Sequence, residues 1–148
     1  MRHHTQPMLI LCLTALLLAA CAAPAPAPTP APAQPAPNMA NPASVNCEKQ
    51  GGKLSIQKRP DGGEYGVCLF EDNRQCEEWA LLRGECPLGG VKITGYVTQA
   101  AQFCAITGGE YKITANSNTD QEQGTCTLKT GKTCDAAAYF AGTCSANE

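Results

Sequence analysis

Eight cysteines fall into two sets with nearly the same spacing, and that pattern constrains the fold more than any other feature of the sequence. Cys47, Cys68, Cys76 and Cys86 are separated by 21, 8 and 10 positions, and Cys104, Cys126, Cys134 and Cys144 by 22, 8 and 10. Glycines repeat with them. Gly51-Gly52 and Gly108-Gly109 follow the first cysteine of each set, Gly66 and Gly124 stand two before the second, and Gly84 and Gly142 two before the last. Agreement at so many positions marks a tandem repeat with a period of about 58 residues. A unit of about 47 residues rarely buries enough apolar surface to fold on its core alone, so disulfides are expected to supply the difference. Two per unit contribute about 2–4 kcal/mol each, and they require an oxidising compartment.

The N-terminus implies such an address. Arg2, His3 and His4 are followed by an apolar run from Met8 to Leu18, which is too short to span a bilayer and reads as a signal peptide over residues 1–20. Leu18-Ala19-Ala20-Cys21 resembles the lipobox of bacterial lipoproteins, which implies cleavage before Cys21 and acylation of its thiol. Several acyl chains give stable anchoring. Cys12 lies inside the leader, so the mature chain keeps Cys21 for lipid and eight cysteines for disulfides. Ala22 rather than Asp after Cys21 implies sorting to the outer membrane, on its periplasmic side. From Cys21 to Ala40 the chain is rich in proline and alanine, a tether that favours extended polyproline II. Its 19 residues after Cys21 reach about 60 Å.

The sequence carries 11 Lys+Arg and 13 Asp+Glu; loss of Arg2 with the leader leaves 10 against 13, a net charge near −3. With no basic stripe, nucleic acid is not an expected partner. The membrane, through the lipid, and an unidentified protein or envelope ligand are.

Local signals give the same plan twice. Asn41-Pro42 reads as an N-cap with proline at the first helical position. Gly51-Gly52 ends that helix, Lys53–Lys58 alternates as a strand, Pro60-Asp61-Gly62-Gly63 turns, and Glu64–Phe70 returns. Asn73 and Gly131 mark a left-handed turn position. A second helix is expected over Gln75–Arg83, with Cys76, Trp79 and Ala80 on one face, Trp79 in the core and Gly84 as the C-terminal stop. Val91–Thr94 reads as a further strand in the joint. The second unit predicts a helix over Gln99–Ile106, strands over Glu110–Thr114 and Gln123–Leu128, and a helix over Thr133–Ala141. The expected fold class is α+β, two small disulfide-stabilised α-β-β-α modules at 41–87 and 98–148, joined by residues 88–97.

Asn41-Pro42-Ala43-Ser44, Cys47, Gly51-Gly52, Gly66, Cys68, Phe70, Cys76-Glu77-Glu78-Trp79-Ala80, Gly84 and Cys86 resemble a bacterial family numbered 333 in the domain-of-unknown-function series, whose members are often labelled hemolysins. The second unit resembles it more loosely. Thr98-Gln99-Ala100-Ala101 replaces the opening, and Cys134-Asp135-Ala136-Ala137-Ala138 the acidic stretch. Before the first cysteine the family usually has an aromatic; Phe103 keeps it and Asn46 does not. The resemblance implies no mechanism.

Candidate chemistry is sparse. His3 and His4 are the only histidines and both lie in the leader, so the mature chain lacks imidazole for Ser-His, Cys-His or metal sites. No Cys-x-x-Cys pair suggests zinc. Glu77 and Glu78 are adjacent and point apart on a helix, a poor acid/base dyad but favourable charges at a helix start. Lys58-Arg59 beside the hairpin could serve an inhibitor as its reactive loop, although Pro60 follows and a solvated turn fits better. No catalytic residue, cofactor or metal is expected. The reading is a non-catalytic, lipid-anchored envelope protein with binding or structural modules, with a periplasmic inhibitor of a protease or other hydrolase as the alternative. For the cysteines, Cys47–Cys86 with Cys68–Cys76 is favoured, and likewise Cys104–Cys144 with Cys126–Cys134. Cys47–Cys76 with Cys68–Cys86 stays open. Cys76–Cys86 is disfavoured, because an intervening helix of about nine residues would hold its ends some 13 Å apart.

Overall fold

The computed structural model describes residues 40–145, and the leader, Cys21 and the proline-rich stretch through residue 39 lie outside them. Each repeat begins with a helix capped as its sequence demands. In the first, α1 (Pro42–Lys49) takes Asn41 as N-cap, whose side chain accepts from the Ala43 amide at 3.0 Å. In the second, α3 (Gln99–Ile106) takes Thr98, which accepts from the Ala101 amide at 3.2 Å. The first hairpin follows as β1 (Lys53–Lys58) and β2 (Glu64–Phe70), the bounds read from the sequence. Next come β3 (Arg74–Glu77), α2 (Glu78–Leu82) and the short β4 (Val91–Lys92). The second repeat continues with β5 (Glu110–Ala115), β6 (Gln123–Thr127), β7 (Thr133–Asp135) and α4 (Ala136–Phe140). The fold is α+β, with antiparallel sheets ordered β1-β2-β3-β4 and β5-β6-β7.

Each repeat therefore holds one strand more than α-β-β-α. The expected helix over Gln75–Arg83 divides into β3 and a helix of five residues, and that over Thr133–Ala141 divides the same way into β7 and α4. Cross-strand pairing overrides helix propensity here: Cys76 stands opposite Cys68, and Cys134 opposite Cys126. The shorter helix also turns its faces. Ala80 and Leu81 are buried, whereas Trp79 is 41% exposed and does not belong to the core as expected.

The same split corrects the disulfides. The bonds are Cys47–Cys68, Cys76–Cys86, Cys104–Cys126 and Cys134–Cys144. Neither Cys47–Cys86 with Cys68–Cys76 nor the counterpart Cys104–Cys144 with Cys126–Cys134 forms, and the open alternative does not form either. Cys76–Cys86, disfavoured on a helix of about nine residues between them, forms because only Glu78–Leu82 is helical there. After α2, Gly84 adopts φ +74°, and the amides of Glu85 and Cys86 both donate to the Ala80 carbonyl at 2.9 and 3.1 Å. This reversal brings the Cα atoms of Cys76 and Cys86 to 5.9 Å, within disulfide reach. Thr143 and Cys144 repeat it on Ala138. The paired glycines have a physical cause as well: a Cβ at Gly52 would strike the sulfurs of Cys47 and Cys68, and one at Gly109 those of Cys104 and Cys126.

Within a repeat the core is largely sulfur. Cys47, Cys68, Cys76 and Cys86 cluster with Ala80 and Leu81, while Cys104, Cys126 and Cys134 cluster with Leu128 and Ala136. The bulky side chains meet elsewhere, in a third cluster drawn from both repeats: Val67 of β2, Ile93 after β4, Phe103 and Ile106 of α3, and Phe140 of α4. Phe103 lies 5.1 Å from Tyr65, 5.2 Å from Tyr139 and 5.3 Å from Phe140 between ring centroids. The two repeats thus share one apolar centre within a single compact unit. β4 carries the connector into it, pairing with β3 and delivering Ile93.

Candidate binding cleft between the repeats

Where the shared centre reaches the surface it opens as a cleft of about 580 Å³. The first repeat contributes Arg59 from the β1–β2 turn, Tyr65 from β2, and Glu77, Arg83 and Glu85 from the two ends of α2. The second contributes Phe103 and Thr107 from α3 and its end, Lys129 and Thr130 from the β6–β7 turn, and Tyr139 from α4. A second hollow of about 420 Å³ is lined mostly by amides and Lys58, and Tyr65 and Phe103 line both. A volume of several hundred Å³ matches small-ligand sites.

The charged groups of the cleft are mostly engaged. Glu77 is the N-cap of α2 and accepts from the Ala80 amide at 2.8 Å, and Glu78 lies in the first turn, so both carboxylates stand at the helix start as expected. Burial pushes its carboxyl above the usual range, and hydrogen bonds from the Ala80 and Trp79 amides oppose that rise. Arg83 donates to Glu85 at 2.7 Å. Arg59 pairs with Asp61 at 3.3 Å and its Nε is buried with no hydrogen-bond partner. Arg59 is therefore part of the cleft wall, while Lys58 stays solvated and pairs with Glu64 at 3.8 Å. Glu78 turns away to fasten α1: it accepts from Asn41 Nδ2 at 2.9 Å and Ser44 Oγ at 2.6 Å. The two adjacent glutamates do separate jobs and form no dyad.

The tyrosines are hydroxyl donors at neutral pH. Burial raises the Tyr65 hydroxyl, with Arg59 opposing, and it donates to Gln57 at 2.9 Å. Burial also raises Tyr139, against a hydrogen bond with Thr107, with Glu77 and Glu85 adding to the rise. All eight described cysteines are in disulfides, and Cys21 lies outside the described residues. Among the described residues no three His, Cys, Asp or Glu side chains gather as a metal site.

Sequence reasoning missed Tyr65 and Lys129, placed Tyr139 with Phe140 only as packing in place of Trp79, and noted Phe103 only as the residue before a cysteine. One signal could have found the aromatics. Aligned by their cysteines, Phe103 answers to Asn46, Tyr139 to Leu81 and Tyr65 to Gln123, so the rings of the junction sit where the sister repeat has none.

The sequence profile of a family described as a domain of unknown function, DUF333, matches residues 38–85 and again 95–143. The chain belongs to this family. The two DUF333 matches correspond to the two repeats, α1 to α2 and α3 to α4. Similar proteins include the uncharacterized YdbJ of Escherichia coli K12, 35% identical over 49 residues, which are 33% of this chain and 56% of YdbJ. The uncharacterized YoaF of Escherichia coli K12 and that of Shigella flexneri are 40% identical over 55 residues, 37% of this chain and 64% of YoaF. The chain thus spans under two thirds of the length of these curated relatives. No solved structure matches.

Proposed function

We propose that this protein is a non-catalytic, lipid-anchored envelope protein whose two DUF333 repeats act together as one binding body, held by the outer membrane on its periplasmic side. The cleft built jointly by both repeats is the observation that carries the binding role. Its carboxylates are committed to a helix cap and to ion pairs rather than arranged as a free base, and its tyrosines are neutral. Support for the anchor comes from Leu18-Ala19-Ala20-Cys21 and the proline-rich stretch that follows.

The hemolysin label attached to the family is given no part in this proposal. Among the described residues no helix is long and apolar enough to cross a membrane, and none carries the Lys/Arg-rich face of a surface-acting lytic helix. Oxidised, non-acylated protein at micromolar concentration is expected to leave dye-loaded liposomes and red cells intact; dose-dependent release would make cytolysis the function.

The binding role is tested by capture from envelope extract with the non-acylated mature chain, alongside Thr130→Trp. Thr130 is exposed at the cleft, so an indole there obstructs it without entering the core. A partner held by the wild type and lost by the variant supports the reading. Equal capture by both removes the cleft from it.

A further inference from the structure

Resting on the binding role just given, we propose that the cleft takes a small organic oxyanion, a carboxylate or phosphate carried on an aromatic or apolar body. The inference follows from which charges remain unspent. Of the three carboxylates lining the cleft, Glu77 caps α2, Glu85 is bound by Arg83, and Glu64 lies beside Lys58 at 3.8 Å. Of the three cations, Arg83 is taken by Glu85, and Arg59 gives one arm to Asp61 while its Nε has no partner. Lys129 is exposed on the turn after β6 and has no ion pair among the described residues. The uncommitted capacity is thus positive and donating: an ammonium, part of a guanidinium and the hydroxyl of Thr130.

Such donors match an oxyanion, which Arg contacts directionally and Lys meets as a mobile point charge. Part of the lining is aromatic. Phe103 and Tyr139, with centroids 5.2 Å apart, offer a surface for a ring or an aliphatic body. A cationic ligand would find the carboxylates already occupied, and a bare inorganic anion would leave the aromatic wall unused.

Three probes sharing a phenyl body separate the possibilities. N-acetylphenylalanine carries a carboxylate, phenyl phosphate a phosphate, and N-acetylphenylalaninamide no charge. Each is titrated into the oxidised, non-acylated mature chain, with the ring resonances of Phe103 and Tyr139 followed by NMR. Both anions should shift these rings, more weakly as salt is raised, and the neutral amide should bind at least roughly threefold less well. The tighter anion identifies the source. Lys129→Ala, in an exposed turn, should weaken the anions roughly threefold to tenfold and leave the amide unchanged. Amide binding equal to that of the anions, or anion binding indifferent to Lys129, overturns the ligand chemistry while the cleft stays a binding site. Silence of both rings toward all three probes overturns this inference; the capture experiment then judges the binding role independently.

Discussion

Replacing Phe103 by alanine strikes the point where the repeats are joined while leaving all four disulfides in place. The side chain is 6% exposed and packs against Tyr65 of one repeat and Tyr139 and Phe140 of the other. Phe-to-Ala changes in a packed core cost about 3–5 kcal/mol. The three ring contacts place this site toward the upper part of that range, since aromatic pairs contribute about 0.5–1.5 kcal/mol beyond their area. For a domain of this size, at about 4 °C per kcal/mol, the melting temperature should fall by about 12–20 °C. The sulfur-rich clusters of the separate repeats contain neither Phe103 nor its ring partners except Tyr139. Heat absorption should therefore broaden or split as the repeats lose their common centre. Scanning calorimetry of the oxidised protein, with Phe103→Leu as a volume-sparing control expected to cost under about 1.5 kcal/mol, measures both effects. A single sharp transition displaced by less than about 4 °C, the shift worth 1 kcal/mol, would refute the shared core.

Non-reducing peptide mapping should recover Cys47–Cys68, Cys76–Cys86, Cys104–Cys126 and Cys134–Cys144 and no bridge between repeats. Removing Cys76 and Cys86 together should cost about 3 kcal/mol by loop-closure entropy for a separation of 10, read as a lowered urea midpoint. Glu77 gives a pH signature. Burial raises its folded-state pKa, so above the ordinary carboxyl value the native chain holds a proton that the unfolded chain has lost, and stability falls as pH rises through that window. Glu77→Gln keeps an acceptor for the Ala80 amide and removes the titration, so its urea midpoint should decline less than the wild type's between about pH 4 and pH 7. Finally, Cys21→Ala should release the protein into the soluble fraction or stall its processing; a variant that matures normally and stays membrane-bound would refute the lipid anchor.

Caps and hairpins were legible because each depends on a few neighbouring residues. Asn41 before Pro42, the Pro60–Gly63 turn and the alternation of Lys53–Lys58 each state a local geometry, and the structure has it. The run around Cys76 misled because Gln75–Arg83 satisfies a helical period, while the deciding force is a ladder to β2, remote in sequence. The overlong helix carries two errors with it, the burial of Trp79 and the low ranking of Cys76–Cys86. The cleft was harder still. Phe103, Tyr65 and Tyr139 are ordinary aromatics one at a time, and only the packing of one repeat on the other makes them a wall.

The four disulfides have a further property in common: every cysteine is joined to its immediate neighbour in the sequence of eight. Of the 105 pairings eight thiols allow, this one alone can be written by a catalyst that always links the newest free thiol to the one that emerged before it. With Cys21 blocked by lipid, a chain delivered N-terminus first into an oxidising space would reach its native bonds with no wrong bridge to undo. Its oxidation should then depend on a thiol oxidase and be indifferent to a disulfide isomerase.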